Sequence, residues 1–146
     1  MGKLLDKIRG IREKTRPFCT VIVPAAGTSR RMGQDKLLLE LEGQPVLLRT
    51  LRALDSAALV DEIIIATREE LLLPIADLCS RSGLVKPVKV IRGGESRAES
   101  VLAGALEASE QAQLLAVHDG ARPLVTPELV DQVIAMAQRT HAAAPA

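Results

Sequence analysis

Thr20-Val-Ile-Val-Pro-Ala-Ala26 is a short apolar run rich in β-branched residues, and it opens into a polar, glycine-containing loop that reaches about Lys36. A run of that length ending at a turn reads as a buried strand. The same alternation continues along the chain. Residues 45–54 read as a helix with Pro45 in its first turn. Glu62-Ile-Ile-Ile-Ala-Thr67 is a second buried strand, and 69–81 carries Leu72, Ile75, Ala76 and Cys79 at helical spacing before Gly83. Pro87-Val-Lys-Val-Ile91 is a third strand, 95–109 a helix, and Gln113-Leu-Leu-Ala-Val117 a fourth strand. Thr126-Pro127-Glu128 opens a last helix, to about residue 140, with an N-cap, a proline at the first position and an acid in the first turn. Strands of this length alternating with helices predict an α/β fold, a three-layer, Rossmann-like, mostly parallel sheet with helices on both faces.

At 146 residues the chain predicts one domain, large enough to hold a core without metal or disulfide. With 47% hydrophobic and 25% charged residues it is ordinary for a globular protein, which excludes disorder, collagen and coiled coil. No stretch approaches the length of a membrane span. Phe18 is the only aromatic residue, so the core must be aliphatic, and the stacking platforms of single-strand nucleic-acid binders are missing. Cys19 and Cys79 form no C-x-x-C motif, and no secretory segment opens the chain, so they read as reduced thiols of a cytoplasmic protein.

The net charge is +1, which predicts no polyanionic partner overall, but it is unevenly placed. Lys3, Lys7, Arg9, Arg12, Lys14 and Arg16 against Asp6 and Glu13 give the opening +4, leaving −3 for the rest. With Leu4, Leu5, Ile8 and Ile11 at helical spacing, residues 1–19 read as a basic amphipathic extension and 20–146 as the α/β domain. Such a helix either packs on its own domain or touches a membrane surface or partner weakly, and no function rests on it. At the other end, Ala142-Ala-Ala-Pro-Ala146 reads as the first residues of a fifth strand, so the sequence looks like the front part of a longer protein.

In an open parallel sheet the ligand lies beyond the carboxyl ends of the strands, and three segments fall there. The first, residues 25–36, is neither a dinucleotide fingerprint nor a P-loop. Gly27 and Gly33 still let backbone approach a ligand, Thr28 and Ser29 add hydroxyls, and Arg30, Arg31 and Lys36 supply cations suited to a polyphosphate. The second, residues 92–101, has Gly93 and Gly94 for close approach, with Ala98 and Ser100 small enough to face a flat ligand. The third, Val117-His-Asp-Gly-Ala-Arg-Pro123, puts Asp119 where it can hold Mg²⁺ or a sugar hydroxyl and Arg122 where it can bind phosphate. No Ser or Cys nucleophile is arranged with His118, which reads as structural, and His141 reads as a solvated helix end. No His/Cys cluster has zinc spacing.

Together the three segments resemble the 2-C-methyl-D-erythritol 4-phosphate cytidylyltransferases of the non-mevalonate isoprenoid pathway, over residues 20–146. The family's A-A-G-x-x-x-R-M-x…K loop is similar to Ala25-Ala26-Gly27 followed by Arg31-Met32 and Lys36. Its G-G-x-x-R-x-x-S-V segment is similar to Gly93-Gly94-Glu95-Ser96-Arg97-Ala98-Glu99-Ser100-Val101, and its H-D-x-A-R-P segment to 118–123. The first motif marks only the broad sugar nucleotidyltransferase class; the other two are far more specific. The interval from Arg31 to Lys36 is shorter than the family's, and Pro24 before Ala-Ala-Gly is a further departure.

The resemblance implies a nucleotide-diphospho-sugar transferase type of fold, with 20–146 as the N-terminal part of a nucleotidyltransferase domain. It implies transfer of a cytidylyl group from CTP to a polyol phosphate with Mg²⁺. Arg31 and Lys36 then stabilise the transition-state charge. Ala25, Ala26, Gly27, Thr28, Gly93, Gly94, Glu95, Ala98 and Ser100 hold CTP, with Asp119 and Arg122 at the substrate or metal. Family members continue into an arm that builds a homodimer and into further substrate-positioning residues, so this chain alone is expected to be inactive. A ribitol-5-phosphate cytidylyltransferase and a CTP-binding fragment without catalysis are the alternatives.

Overall fold

The computed structural model describes residues 2–5, 16–27, 30–31 and 34–145. Four strands form one sheet: β1 (Phe18–Ala25), β6 (Glu62–Thr67), β7 (Val88–Arg92) and β8 (Ala112–Val117), in the order β7-β6-β1-β8 and all parallel. Between β1 and β6 lie two antiparallel hairpins of two-residue strands, β2 (Arg30–Arg31) with β3 (Gln34–Asp35) and β4 (Glu40–Leu41) with β5 (Gln44–Pro45). Helices α1 (Val46–Ser56), α2 (Leu72–Arg81), α3 (Arg97–Glu107) and α4 (Pro127–Thr140) complete the domain.

The strand periodicity of two decides the layers. On one face Cys19, Val21, Val23 and Ala25 of β1 join Ile63 and Ile65 of β6 in a core with Leu47, Leu51 and Leu54 of α1, Ile75 of α2, and Val130 and Ile134 of α4. On the other face Ile22 and Ile64 meet α3, where Gly104 allows the helix to come down onto Ile22. Helices therefore cover both faces, as the alternation of elements predicts. All six β6 residues are buried, whereas β8 alternates half-buried and exposed, as an edge strand does. Each fully buried Ile or Leu contributes about 1.5–3 kcal/mol, so the aliphatic core suffices without aromatics.

The boundaries follow local chemistry. Pro24 sits in β1 beyond Ile22↔Val117, the last β1–β8 pair, so its missing N–H costs no ladder bond. Thr126 Oγ1 accepts from Leu129 N at 3.2 Å with Pro127 at the first helical position, and the helix runs to Thr140 as predicted. The predicted helix over 69–81 divides into a 3₁₀ turn, Glu69–Leu71, and α2, because Pro74 is tolerated only in the first turn of an α-helix.

Four readings differ, the first being Pro45, which closes β5 and precedes α1 instead of standing in its first turn. Residues 95–96 cap α3 rather than belong to it. The hairpin around Glu42 (φ 53°) and Gly43 (φ 81°) is an addition, since both turn residues take the left-handed conformation of a tight two-residue loop. Residues 142–145 form no strand. Of the amphipathic opening, residues 2–5 are helical and 6–15 lie outside the described residues; Arg16 closes onto Asp61 at 2.5 Å. Among the described residues no helix is long and apolar enough to cross a membrane.

Candidate active site

The carboxyl ends of β1, β6, β7 and β8 are tied together by short polar contacts. Thr67 Oγ1 donates to Ala25 O at 3.0 Å, and Gly93 N donates to Thr67 O at 2.7 Å. His118 N donates to Ile22 O at 3.0 Å, and Thr50 Oγ1 donates to Gly120 O at 2.8 Å. These bonds bring the three motif segments to one rim. Between them lies a cavity of about 330 Å³, bounded by Ala25, Ala26 and Gly27 at the end of β1, by Lys36, by Glu95, Ser96, Arg97 and Ser100 around the start of α3, and by Asp119 to Arg122 after β8.

Sequence-predicted residues fall into three groups. Ala25, Ala26, Gly27, Lys36, Glu95, Ser100, Asp119 and Arg122 line this cavity. Gly93, Gly94 and Ala98 do not. Thr28 lies outside the described residues, and of Arg31 only the backbone in β2 is described.

Gly93 and Gly94 act by making room. A Cβ on Gly93 would stand 2.6 Å from Ser100 Oγ and 3.2 Å from the Ala26 Cβ, and one on Gly94 would stand 2.2 Å from the Glu99 Cβ. The Ser100 hydroxyl, buried at 1% exposure, accepts from Gly94 N at 3.1 Å. In this structure Ser100 thus secures the turn, while Ala98 faces solvent on α3. Ser96 Oγ caps α3 by accepting from Glu99 N at 3.1 Å, and Glu99 Oε2 accepts from Glu95 N at 2.8 Å.

Sequence reasoning gave Arg97 no site role, although it is in the quoted motif. Its Nε donates to Asp119 Oδ1 at 3.1 Å, while Arg122 Nε lies 3.3 Å from Asp119 Oδ2. The Asp119 carboxylate is therefore flanked by one guanidinium on each oxygen. Among the described residues no three His, Cys, Asp or Glu side chains group around a metal position. Asp119, half-buried, and Glu95 are the carboxylates lining this cavity, a set too small for a resident metal cage but compatible with a divalent ion whose other ligands come with a bound phosphate.

A second, more apolar cavity of about 620 Å³ adjoins this one, with Val21, Leu54, Val130 and Ile134 at its floor; Arg97, Asp119 and Arg122 border both. His118 faces the apolar cavity, and burial pushes its pKa below the ordinary value. Burial also pushes the Cys19 and Cys79 thiols up to about 11, which leaves neither poised as a nucleophile.

The sequence profile of the family described as IspD, 2-C-methyl-D-erythritol 4-phosphate cytidylyltransferase, matches residues 19–146. The chain belongs to the IspD family. It is 37% identical over 126 residues to the protein of that name from Halalkalibacterium halodurans, covering 85% of this chain and 55% of the relative. It is 42% identical over 118 residues to that from Microcystis aeruginosa, covering 79% and 52%. The chain thus spans about half the length of the curated IspD proteins it matches. Among solved structures, 4-diphosphocytidyl-2C-methyl-D-erythritol synthase from Anaerococcus prevotii superposes with TM-score 0.74 at 27% identity, over 84% of this chain and 52% of that one. A CMP:2-keto-3-deoxy-manno-octonic acid synthetase complexed with CTP shares the fold at TM-score 0.63 and 20% identity, over 86% and 49%. The IspD chain is accordingly a nucleotidyltransferase-type α/β sheet with its cavity at the strands' carboxyl edge.

Proposed function

We propose that this IspD protein transfers a cytidylyl group from CTP to 2-C-methyl-D-erythritol 4-phosphate, as a step of isoprenoid precursor synthesis. The observation that carries the reading is one cavity that gathers residues of all three motif segments in a chain matched to the family over 19–146.

In this reading a phosphate oxygen of the polyol phosphate attacks the α-phosphorus of CTP, the bond to the bridging oxygen of the β-phosphate breaks, and pyrophosphate leaves. The attacking phosphomonoester, with a second pKa of about 6, is already largely dianionic at neutral pH, so no strong general base is required. Catalysis then depends on positioning and charge stabilisation.

Lys36 and Arg31 act on the charge of the α-phosphate and the leaving pyrophosphate. Backbone at Ala25, Ala26 and Gly27 approaches the nucleotide, and Glu95 and Ser100, held by the turn at Gly93 and Gly94, bound a slot for the cytosine, whereas Ala98, exposed on α3, stands outside it. Thr28 adds a hydroxyl beside the phosphates. Asp119 holds the metal or a substrate hydroxyl, and Arg122 meets a phosphate. Mg²⁺, when bound with the nucleotide, neutralises phosphate charge.

Pyrophosphate release is the test, with CTP, Mg²⁺ and either methylerythritol phosphate or ribitol 5-phosphate. Turnover only with the former supports the reading, and preference for the latter reassigns the substrate. CTP binding by calorimetry without turnover leaves a nucleotide-binding module. Cytoplasmic residence and homodimerisation belong to the same proposal, and sedimentation tests the dimer.

A further inference from the structure

We propose that Arg97 is a positioning residue of this site: it grips Asp119 across the cavity, fixing the carboxylate that a Mg²⁺–CTP complex meets and the width of the slot between the turn after β7 and the loop after β8. The inference rests on the nucleotide reading above and assigns a role to a side chain that reading leaves unused.

The sheet order explains why such a tie is needed. With β6 and β1 between them, β7 and β8 lie three strand spacings apart, about 14 Å. The segments that follow them have no backbone bond to each other. Arg97 is the first residue of α3, and side chains there lean toward the helix N-terminus, over the cavity. Its Nε reaches Asp119 Oδ1 at 3.1 Å over 22 residues of sequence.

Folding does not account for this pair. The Arg97 side chain is 62% exposed and that of Asp119 32%, and exposed ion pairs contribute little to stability. The contact does order the site. With Arg97 on Oδ1 and Arg122 on Oδ2, the carboxylate is held in one plane facing the cavity. Arg97 also borders both the polar and the apolar cavity, as Asp119 and Arg122 do, so its loss opens part of the wall between them and leaves Asp119 with Arg122 as its one guanidinium partner.

The test is calorimetric titration of Mg²⁺–CTP into the unsubstituted chain, Arg97→Gln, Asp119→Asn and the double variant, with thermal melts to establish that each is folded. We expect Arg97→Gln to weaken binding about tenfold and the double variant to bind no more weakly than Asp119→Asn alone, since residues acting through one another are non-additive. Arg97→Lys recovers only part, because an ammonium lacks the planar guanidinium fork. Multiplicative losses, or unchanged affinity in Arg97→Gln, overturn the inference while leaving the nucleotide reading intact.

If the unsubstituted chain binds no CTP, that reading fails by itself. The grip is then judged without ligand, by solvent exchange of the Arg97 Nε proton in ¹⁵N NMR. Slow exchange that becomes fast in Asp119→Asn supports the grip. Exchange that is the same in both proteins overturns it.

Discussion

The Thr20 hydroxyl donates to Glu62 Oε1 at 2.9 Å across the two central strands, and the same oxygen accepts from Ser109 N at 3.0 Å. Glu62 is 5% exposed, with Lys89 Nζ 3.9 Å from its other oxygen. A carboxylate this deep persists only when its lone pairs are engaged, and here it joins β1, β6 and the segment entering β8. Glu62→Ala strands the Thr20 hydroxyl and the Ser109 amide and is expected to cost about 3 kcal/mol in urea unfolding. Glu62→Gln, which keeps an acceptor, costs about 1 kcal/mol. Equal losses for the two would show that side-chain bulk, not acceptance, matters there.

Helix α3 reaches the sheet through Gly104. A Cβ at that position would stand 2.5 Å from Ile22 Cγ2, and Ile22 itself is fully buried under the helix. Gly104→Ala is therefore expected to destabilise by about 1–3 kcal/mol despite the better helix propensity of alanine. Because α3 carries Arg97 and Ser100 and is capped by Ser96, lifting it also widens the cavity. Shortening the obstacle with Ile22→Ala should recover part of the loss, and a double-mutant cycle measures the coupling. Purely additive effects would mean that the helix does not bear on Ile22.

The fold was legible because its signals are local. Glu62–Thr67 has the predicted bounds, and Thr126-Pro127 marked the start of α4, since β-branched runs and cap chemistry need no distant partner. The hairpin at 40–45 is not legible in the sequence, because its two-residue strands fully bury no side chain and leave no periodicity. At the site, the glycine pair was legible as a close approach, but what approaches is Ser100 and Glu99 of the protein itself. The Arg97–Asp119 tie joins residues whose proximity exists only once β6 and β1 have been placed between β7 and β8.

His118 gives the protein an acid-sensitive contact. Its side chain is half-buried, Nδ1 has no hydrogen-bond partner among the described residues, and burial lowers its pKa. The unfolded chain then takes up a proton at higher pH, near 6.5, than the folded one. Stability rises with pH wherever the unfolded state binds more protons, so the His118 contribution is intact above about 6.5 and is lost as pH falls through the folded pKa. Urea midpoints measured from pH 7.5 down to 5.5 should fall, and His118→Asn should flatten that slope. A slope unchanged by the substitution would place the sensitivity elsewhere.

Lys36 is the one catalytic candidate whose side chain is both described and exposed to the polar cavity, at the start of the 3₁₀ turn Lys36–Leu38. Leu37 beside it is buried at 6% exposure, so the neighbouring residue anchors the turn while the ammonium stays free to meet phosphate. That division predicts separable effects. In the full-length enzyme Lys36→Ala is expected to lower kcat for cytidylyl transfer by about 10²-fold, the usual loss when one donor to developing charge is removed. Its unfolding midpoint should stay within the range of a surface change, about 0.5 kcal/mol. Lys36→Arg keeps the charge but moves it, and should recover part of kcat with little change in KM. The same variants assayed for CTP binding separate ground-state from transition-state contacts, since a residue that acts on charge formed during transfer leaves nucleotide affinity nearly unchanged. Unaltered turnover in Lys36→Ala would remove this side chain from the chemistry.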